Sequence, residues 1–153
     1  MAVLNINLGL KSYEICDTDG NTVGVIRFNP SDPGMVSRWK EVQEFINGFD
    51  EKEYNTPEKI GEADRAIKEK FNYAFGTDVS SVLFQNVSSL ALCEDGRMVL
   101  ENVLEAVQPI IEEAMKVAQK NSEARVRART AEYEGSKKGL APGQLSPSRF
   151  RGQ

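Results

Sequence analysis

The chain has 153 residues, 40% of them hydrophobic and 27% charged, with a formal net charge of −4, as expected for one folded domain. It contains no histidine, which excludes every catalytic or metal-binding arrangement that needs an imidazole. No apolar run approaches the roughly 20 residues of a membrane span, and the first residues lack the pattern of a secretory signal. We therefore expect a cytoplasmic protein that does not bind a membrane.

Charge is distributed unevenly along the chain. Residues 1–120 contain 12 basic and 20 acidic side chains, whereas residues 121–153 contain 7 basic and 3 acidic ones. Nucleic-acid binding needs a basic face, so the acidic part argues against a nucleic acid as partner. The basic part could still contact another anionic partner.

Strand-like patterns come first in the chain. Leu4–Leu8 alternates apolar and polar residues, and Ser12–Cys16 and Thr22–Phe28 are rich in β-formers. The loop Asp17–Asn21 contains Asp-Gly, which suits a tight hairpin turn. The same loop resembles the start of a calcium loop, but it lacks the glycine at position six and the carboxylate at position twelve, so a hairpin is favoured.

The first helix is predicted over Pro33–Asn47. Asp32 is a good N-cap, and proline suits the first helical position because its missing N–H would have no partner there. Trp39 lies within an apolar stripe at helical spacing, which favours burial over an exposed binding role. Gly48 marks the end of this helix, and Phe49 could fold back onto its last turn.

Two further helices and an apolar connection follow. The second helix is predicted over Pro57–Phe75, with Thr56 as its cap and a glycine directly after it. A short third helix is predicted over Val79–Phe84, capped by one of the two residues before it. Leu90–Cys93 is too short to classify by period and fits either a helical turn or a buried connection.

The longest apolar pattern predicts a fourth helix over Arg97–Lys120, after the turn Glu94–Gly96. Pro109 lies inside it and predicts a kink or break. Such a kink would let Leu100–Val107 stay in the core while Ile111–Ala118 turns toward a partner. The apolar positions that carry the pattern are Leu100, Leu104, Val107, Ile111, Ala114 and Ala118.

Beyond this helix the pattern decays. Residues 121–153 are rich in Gly, Pro and Ser with little apolar content, which predicts disorder in the isolated chain. The segment could be a docking arm anchored by Leu140, Leu145 and Phe150, or a passive solubilising tail. The two cysteines, Cys16 and Cys93, are interpreted as buried or half-buried free thiols, with a disulfide as the less favoured alternative.

Together these patterns predict an α+β fold. A small N-terminal antiparallel meander or hairpin, with strands within residues 4–28, precedes a bundle of about four helices within residues 33–118. The domain is expected to span residues 1–120 and the basic flexible tail residues 121–153.

Four segments resemble a known family: Asn5–Ile15, Phe28–Pro33, Phe75–Val79 and Glu101–Ile111. The order and the sequences of these segments resemble those of the tail assembly chaperones of siphophages and prophages of Gram-positive bacteria, over about residues 4–118. The resemblance carries no catalytic signature. It implies a protein that binds the long tape measure protein and keeps it soluble while tail tube subunits polymerise around it.

The expected partner is therefore a protein, namely the tape measure protein, with self-association also possible. No cofactor, metal or catalytic residue is predicted. The candidate partner-binding residues come from the second half of the long helix and from the basic tail, and they are Ile111, Met115, Ala118, Arg125, Arg127, Arg129, Leu145 and Phe150.

Other classes of function stay open at this stage. The chain could be a structural tail or connector subunit of the virion, or a phage-encoded modulator that binds a host protein through its basic tail. An enzyme is disfavoured because the sequence has no histidine, no Gly-rich phosphate loop, no serine elbow and no closely spaced cysteine pair.

Overall fold

Residues 11–28 form a β-hairpin. The computed structural model describes residues 1–138, with side chains placed through residue 133. Strand β1 spans Lys11–Cys16 and strand β2 spans Thr22–Phe28, paired antiparallel with Tyr13 opposite Ile26. A bulge between Ile15 and Cys16 ends the regular register. The hairpin part of the predicted sheet is therefore confirmed.

The loop between the strands is held by one aspartate. The Asp17 Oδ1 atom accepts hydrogen bonds from the backbone N–H groups of Asp19 and Asn21, both at 2.9 Å. These bonds keep the pKa of the Asp17 carboxyl below its ordinary value, because they stabilise its charged form. Gly20, with φ of 85°, supplies the left-handed conformation that the turn needs.

Helices α1 and α2 match the sequence prediction residue for residue. Helix α1 spans Pro33–Asn47 and begins with the Asp32 side chain accepting from the N–H of Gly34 at 3.0 Å. Helix α2 spans Pro57–Phe75, between a capping Thr56 and a left-handed glycine. Both ends of each helix were recognisable because capping depends on local residue types.

Helix α3 spans Ser80–Leu83, shorter than predicted, and helix α4 spans Val99–Lys138. Asn72 of α2 caps α3: its Oδ1 atom accepts from the N–H groups of Val79 and Ser80, both at 2.8 Å. A cap contributed by another helix cannot be read from local sequence, whereas Asp78, one of the two predicted caps with Thr77, also accepts from the N–H of Ser81, at 3.3 Å.

The hydrophobic core joins one face of the hairpin to all four helices. Trp39 packs edge-to-face against Phe71 and Phe75, with ring centroids 5.5 and 5.8 Å away. The predicted burial of Trp39 is confirmed, at 1% exposure. The buried residues that make up this core are Ile26, Phe28, Met35, Trp39, Val42, Ile67, Phe71, Ala74, Phe75, Val79, Phe84, Leu100, Val107 and Ile111.

Three predictions of secondary structure are wrong. No strand forms over Leu4–Leu8; the chain reaches its first strand only at Lys11, and residues 1–10 are exposed. Leu92 is neither in a helical turn nor buried, since it forms an isolated antiparallel bridge with Met98 and is 74% exposed. Helix α4 runs past its predicted end at Lys120, and it is continuous through Pro109, where a kink or break was predicted, so the break is excluded.

The extension of α4 has a physical reason. Residues 119–133 are exposed, so no apolar stripe marks them, but they are rich in Ala, Glu, Lys, Arg and Gln, which have high helix propensity. The prediction of disorder is therefore wrong for residues 121–138. Leu140, Leu145 and Phe150 lie outside the described residues.

The chain divides into two units, Met1–Met115 and Lys116–Gln153. The first contains the hairpin, α1 to α3 and the core. In the described part of the second, residues 116–138 are helical, and Ala118 is only partly exposed. No described helix is long and apolar enough to cross a membrane.

Candidate protein-binding surface

An apolar groove lies on the surface of the first unit, with a volume of about 280 Å³. We call it the aromatic groove. Only one ionisable carboxylate, that of Glu51, lines it. The other lining residues are aromatic or aliphatic, namely Phe49, Tyr54, Ile60, Leu90, Leu92 and Met98.

One wall of the aromatic groove is built where α1 ends. The N–H of Phe49 donates to the carbonyl of Ile46 at 3.0 Å, so the chain folds back at this point as the sequence predicted. Phe49 then stacks on Tyr54, with ring centroids 4.4 Å apart and planes within 5°. A short 3-10 turn over Glu51–Glu53, capped by the Asp50 side chain, holds the two rings together.

The opposite wall is a small β-ribbon before α4. Leu92 bridges Met98, and hydrogen bonds of 2.8 Å from Cys93 to Arg97 and from Val99 to Ala91 close the ribbon. The turn between its two sides requires Gly96, which has φ of 82°. The ribbon holds Leu92 at the rim of the groove with most of its side chain in water.

A contact between a partly buried aspartate and a buried serine supports the same wall. Ser89 is completely buried, and both its N–H and its hydroxyl donate to the Oδ1 atom of Asp64, at 2.8 and 2.7 Å. The other carboxylate oxygen pairs with the Lys68 ammonium at 3.0 Å. These bonds fix residue 89, and hence the adjacent groove residue Leu90, to helix α2.

The electrostatics of Asp64 follow from these contacts. Burial alone would raise the pKa of its carboxyl, but the hydrogen bonds from Ser89 and the charge of Lys68 outweigh burial, and the pKa lies below its ordinary value. Asp64 is therefore ionised at neutral pH and acts as a fixed acceptor. Its role is structural because both oxygens already have partners.

A second surface concavity, of about 350 Å³, is lined by residues of α1 and α4 together with Arg97, and most of these residues have polar side chains. Its Arg97 guanidinium pairs with Glu101 at 3.6 Å and with Glu105. These pairs hold the pKa of Arg97 above its ordinary value. Because its one cation is already paired with two carboxylates, this concavity offers a partner fewer free contacts than the aromatic groove does.

The aromatic groove suits binding and carries no catalytic arrangement. Its lining contains no cysteine, serine or lysine, and a single carboxylate has no partner for paired acid–base chemistry. Among residues 1–133 no cluster of Cys, Asp and Glu could hold a metal ion. The lining is suited to burying apolar groups of another molecule.

The predicted partner-binding residues do not form this surface. Ile111 is a core residue with 1% exposure, so its prediction as partner-facing is wrong, because α4 is packed on the core beyond Pro109. Met115 is exposed and Ala118 partly exposed. The three arginines 125, 127 and 129 are exposed on α4, whereas Leu145 and Phe150 lie outside the described residues.

The structure also corrects the description of the thiols. Both are free, as predicted, but Cys16 is exposed at the end of β1. Cys93 is half-buried and its Sγ atom accepts from the side-chain amide of Asn102 at 3.3 Å.

Sequence reasoning missed the groove because its residues come from four separate places in the chain. The positions of Phe49 after the helix-ending glycine and of the apolar run at 90–93 were each recognisable, but nothing local indicated that they line one groove.

Comparison of the chain with protein-family models, with curated proteins and with solved structures gives no match.

Proposed function

We propose that this protein is a phage tail assembly chaperone that binds the tape measure protein and keeps it soluble in the host cytoplasm during tail assembly. The sequence resemblance suggests the class. The observation that carries the proposal is the aromatic groove, an apolar surface of about 280 Å³ with one rim residue, Leu92, 74% exposed.

The chemistry of the groove fits such a client. A tape measure protein is long and helical, and before the tube covers it the apolar stripe of its helix would be open to water. An amphipathic helix binds a protein groove by inserting apolar side chains spaced three or four residues apart. Stacked rings at Phe49 and Tyr54 offer a rigid apolar wall for such side chains, with little entropy lost on binding.

The distribution of charge supports a soluble carrier. The segment 1–120 has eight more acidic than basic side chains. Like charges on neighbouring copies discourage nonspecific association, so a groove can stay open without causing aggregation. The basic residues of α4 give the chain a second, oppositely charged region for an acidic part of a partner.

The direct test is co-expression with the product of the tape measure gene, the largest gene expected near this one. The chaperone proposal predicts that the client becomes soluble and co-purifies. Leu92→Asn should weaken client binding about tenfold or more, because it removes an apolar side chain from the rim. Val87→Asn, an exposed valine outside the groove, serves as the matched control and should bind normally.

Two results would contradict the proposal. One is a client whose solubility is unchanged by co-expression. The other is stoichiometric presence of this protein in purified virions, measured by mass spectrometry, which would favour a structural tail component instead. Leu92 is almost entirely in water, so its replacement should leave thermal stability unchanged and keep the binding result interpretable.

A further inference from the structure

The first ten residues carry an apolar pattern that the folded chain does not use. Leu4, Ile6 and Leu8 are 84%, 73% and 63% exposed, and no regular structure is assigned to residues 1–10. In an extended segment these three side chains would lie on one side, with Asn5 and Asn7 on the other. We call residues 3–10 the N-terminal arm.

The arm is anchored at its base. The side-chain amide of Asn29 donates to the carbonyl of Leu8 at 2.9 Å, and the N–H of Gly9 donates to the Asn7 Oδ1 atom at 2.9 Å. Gly9 has φ of 69°, and a Cβ atom there would come within 2.7 Å of the Asn29 amide nitrogen. Any other side chain would be strained at this position, and the two hydrogen bonds give the chain a defined path into β1.

The arm also lacks the features that protect a strand from pairing with another chain. Natural edge strands are blunted by charged residues, proline or bulges. Residues 1–10 contain no charged side chain and no proline. An exposed, uncharged segment with alternating apolar residues is prone to pair with an open strand edge of another chain.

The same chain offers an open strand edge. The hairpin has only two strands, and in residues 1–138 the sole backbone ladder of β1 is the one to β2. On the inner face of β1, Tyr13 and Ile15 are only half-buried, so their flanks can accept more apolar contact. The six residues of β1 match an arm strand of similar length.

We infer that the N-terminal arm of one copy adds as a third strand to the open edge of β1 of a second copy, with reciprocal exchange producing a dimer. Leu4, Ile6 and Leu8 would then lie beside Tyr13 and Ile15 of the second copy and extend its apolar face. Each copy has one arm and one open edge, and reciprocal exchange pairs both arms and both edges, which closes the assembly at two copies.

A second copy of this chain is the partner that the structure favours. The arm forms no backbone hydrogen bond to its own β1, so both the arm and the outer edge of β1 are available to another copy. The arm has no charge, so the acidic surface of another copy does not repel it. This inference shares no residue with the aromatic groove and does not depend on the chaperone proposal.

The test is the oligomeric state of the full chain, measured by size-exclusion chromatography with light scattering over a range of concentrations. The expected result is a dimer. Ile6→Lys should raise the dimer dissociation constant tenfold or more, because it places a charge on the apolar side of the strand. Asn5→Ser, on the opposite side of the arm, is the matched control and should remain dimeric.

Amide hydrogen exchange identifies the acceptor. In the wild-type dimer the outer-edge amides of β1 should be protected, and Ile6→Lys should remove that protection while the helices stay protected. In a sample mixed from isotope-labelled and unlabelled copies, contacts from the arm of one copy to Tyr13 of the other are expected. A wild-type chain that stays monomeric, or an Ile6→Lys dimer as tight as wild type, would overturn the inference.

Discussion

The indole N–H of Trp39 donates a 2.7 Å hydrogen bond to the side-chain oxygen of the half-buried Gln108, linking α1 to α4 at the edge of the core. The same oxygen accepts from Gln43 at 2.6 Å, and the Gln108 amide donates to Glu112 at 2.9 Å. A buried indole needs a partner for its one donor. Gln108 thus allows a tryptophan with 1% exposure to sit at the centre of the aromatic cluster.

Replacing Gln108 with leucine should destabilise the fold. The substitution leaves the Trp39 N–H buried without an acceptor, which lowers the free energy of unfolding by about 1–3 kcal/mol. Urea unfolding followed by tryptophan fluorescence measures this change in the free energy of unfolding. Glu112→Gln is the control: it keeps an oxygen acceptor for the Gln108 amide and should change stability by less than about 0.5 kcal/mol. A Gln108→Leu variant as stable as wild type would show that the indole bond contributes nothing.

The ionised Asp64 side chain should make stability depend on pH in the acid range. Its pKa is lower in the folded chain than in the unfolded one, so its contribution is fully present above the unfolded value of about 3.9 and is lost as the pH falls through the folded value. At neutral pH, Asp64→Asn should therefore be less stable than wild type by about 1–3 kcal/mol.

That stability difference should shrink once the pH falls below about 4, because a protonated Asp64 resembles asparagine. Urea titrations of both proteins across this range measure it. Glu113→Gln, which neutralises an exposed carboxylate on α4, is the comparison. If the gap between wild type and Asp64→Asn stayed constant on acidification, the carboxylate charge could not be its source.

Local signals explain which parts of the fold were predictable. Asp32 and Thr56 capped their helices as expected, because a cap needs only residues a few positions apart. Leu4–Leu8 was predicted as a strand from its alternation, but a strand also needs a neighbour, and sequence alone does not say whether the same chain supplies one. Ile111 was misplaced because an apolar stripe looks the same whether it faces the core or a partner.

The candidate surface was less predictable than the fold. The aromatic groove is lined by Phe49 and Leu92, which are 43 positions apart in the sequence. One of its walls is fixed by the contact of Ser89 with Asp64. The periodicity of apolar residues does not indicate which distant segments come together in the fold. The exposed end of α4 was missed for the opposite reason, since its helix forms by propensity without an apolar stripe.

Gly24 should be intolerant of alanine because β2 packs closely on α3 there. A Cβ atom at residue 24 would lie 2.7 Å from a methyl carbon of Val82. Gly24→Ala should lower the free energy of unfolding by about 1–3 kcal/mol through overpacking. Thermal unfolding of the single variants and of Gly24→Ala combined with Val82→Ala forms a double-mutant cycle.

The cycle separates crowding from any effect of alanine on the strand itself. In the Val82→Ala background the added methyl has room, so the cost of Gly24→Ala should fall, with a coupling energy of about 1 kcal/mol or more. Strictly additive effects would mean that residue 82 is not what makes glycine necessary at residue 24.

Pro109 should be replaceable by alanine with a gain in stability. It lies inside α4 with its ring exposed, and because it has no N–H the carbonyl of Glu105 receives no helical hydrogen bond from residue 109. Alanine restores that bond and has the highest helix propensity. We expect the free energy of unfolding to rise by about 1–3 kcal/mol. Gln119→Ala, a similarly exposed change in the same helix, should alter stability by less than about 0.5 kcal/mol.

A fall in the free energy of unfolding of Pro109→Ala would be equally informative. Val107 and Ile111, on either side of Pro109, are both buried in the core. If the proline bends α4 so that both can reach the core together, alanine would straighten the helix and pull one of them out of place. Chemical denaturation of Pro109→Ala decides the matter: a gain means that the proline only weakens the helix, whereas a loss means that its bend is part of the packing.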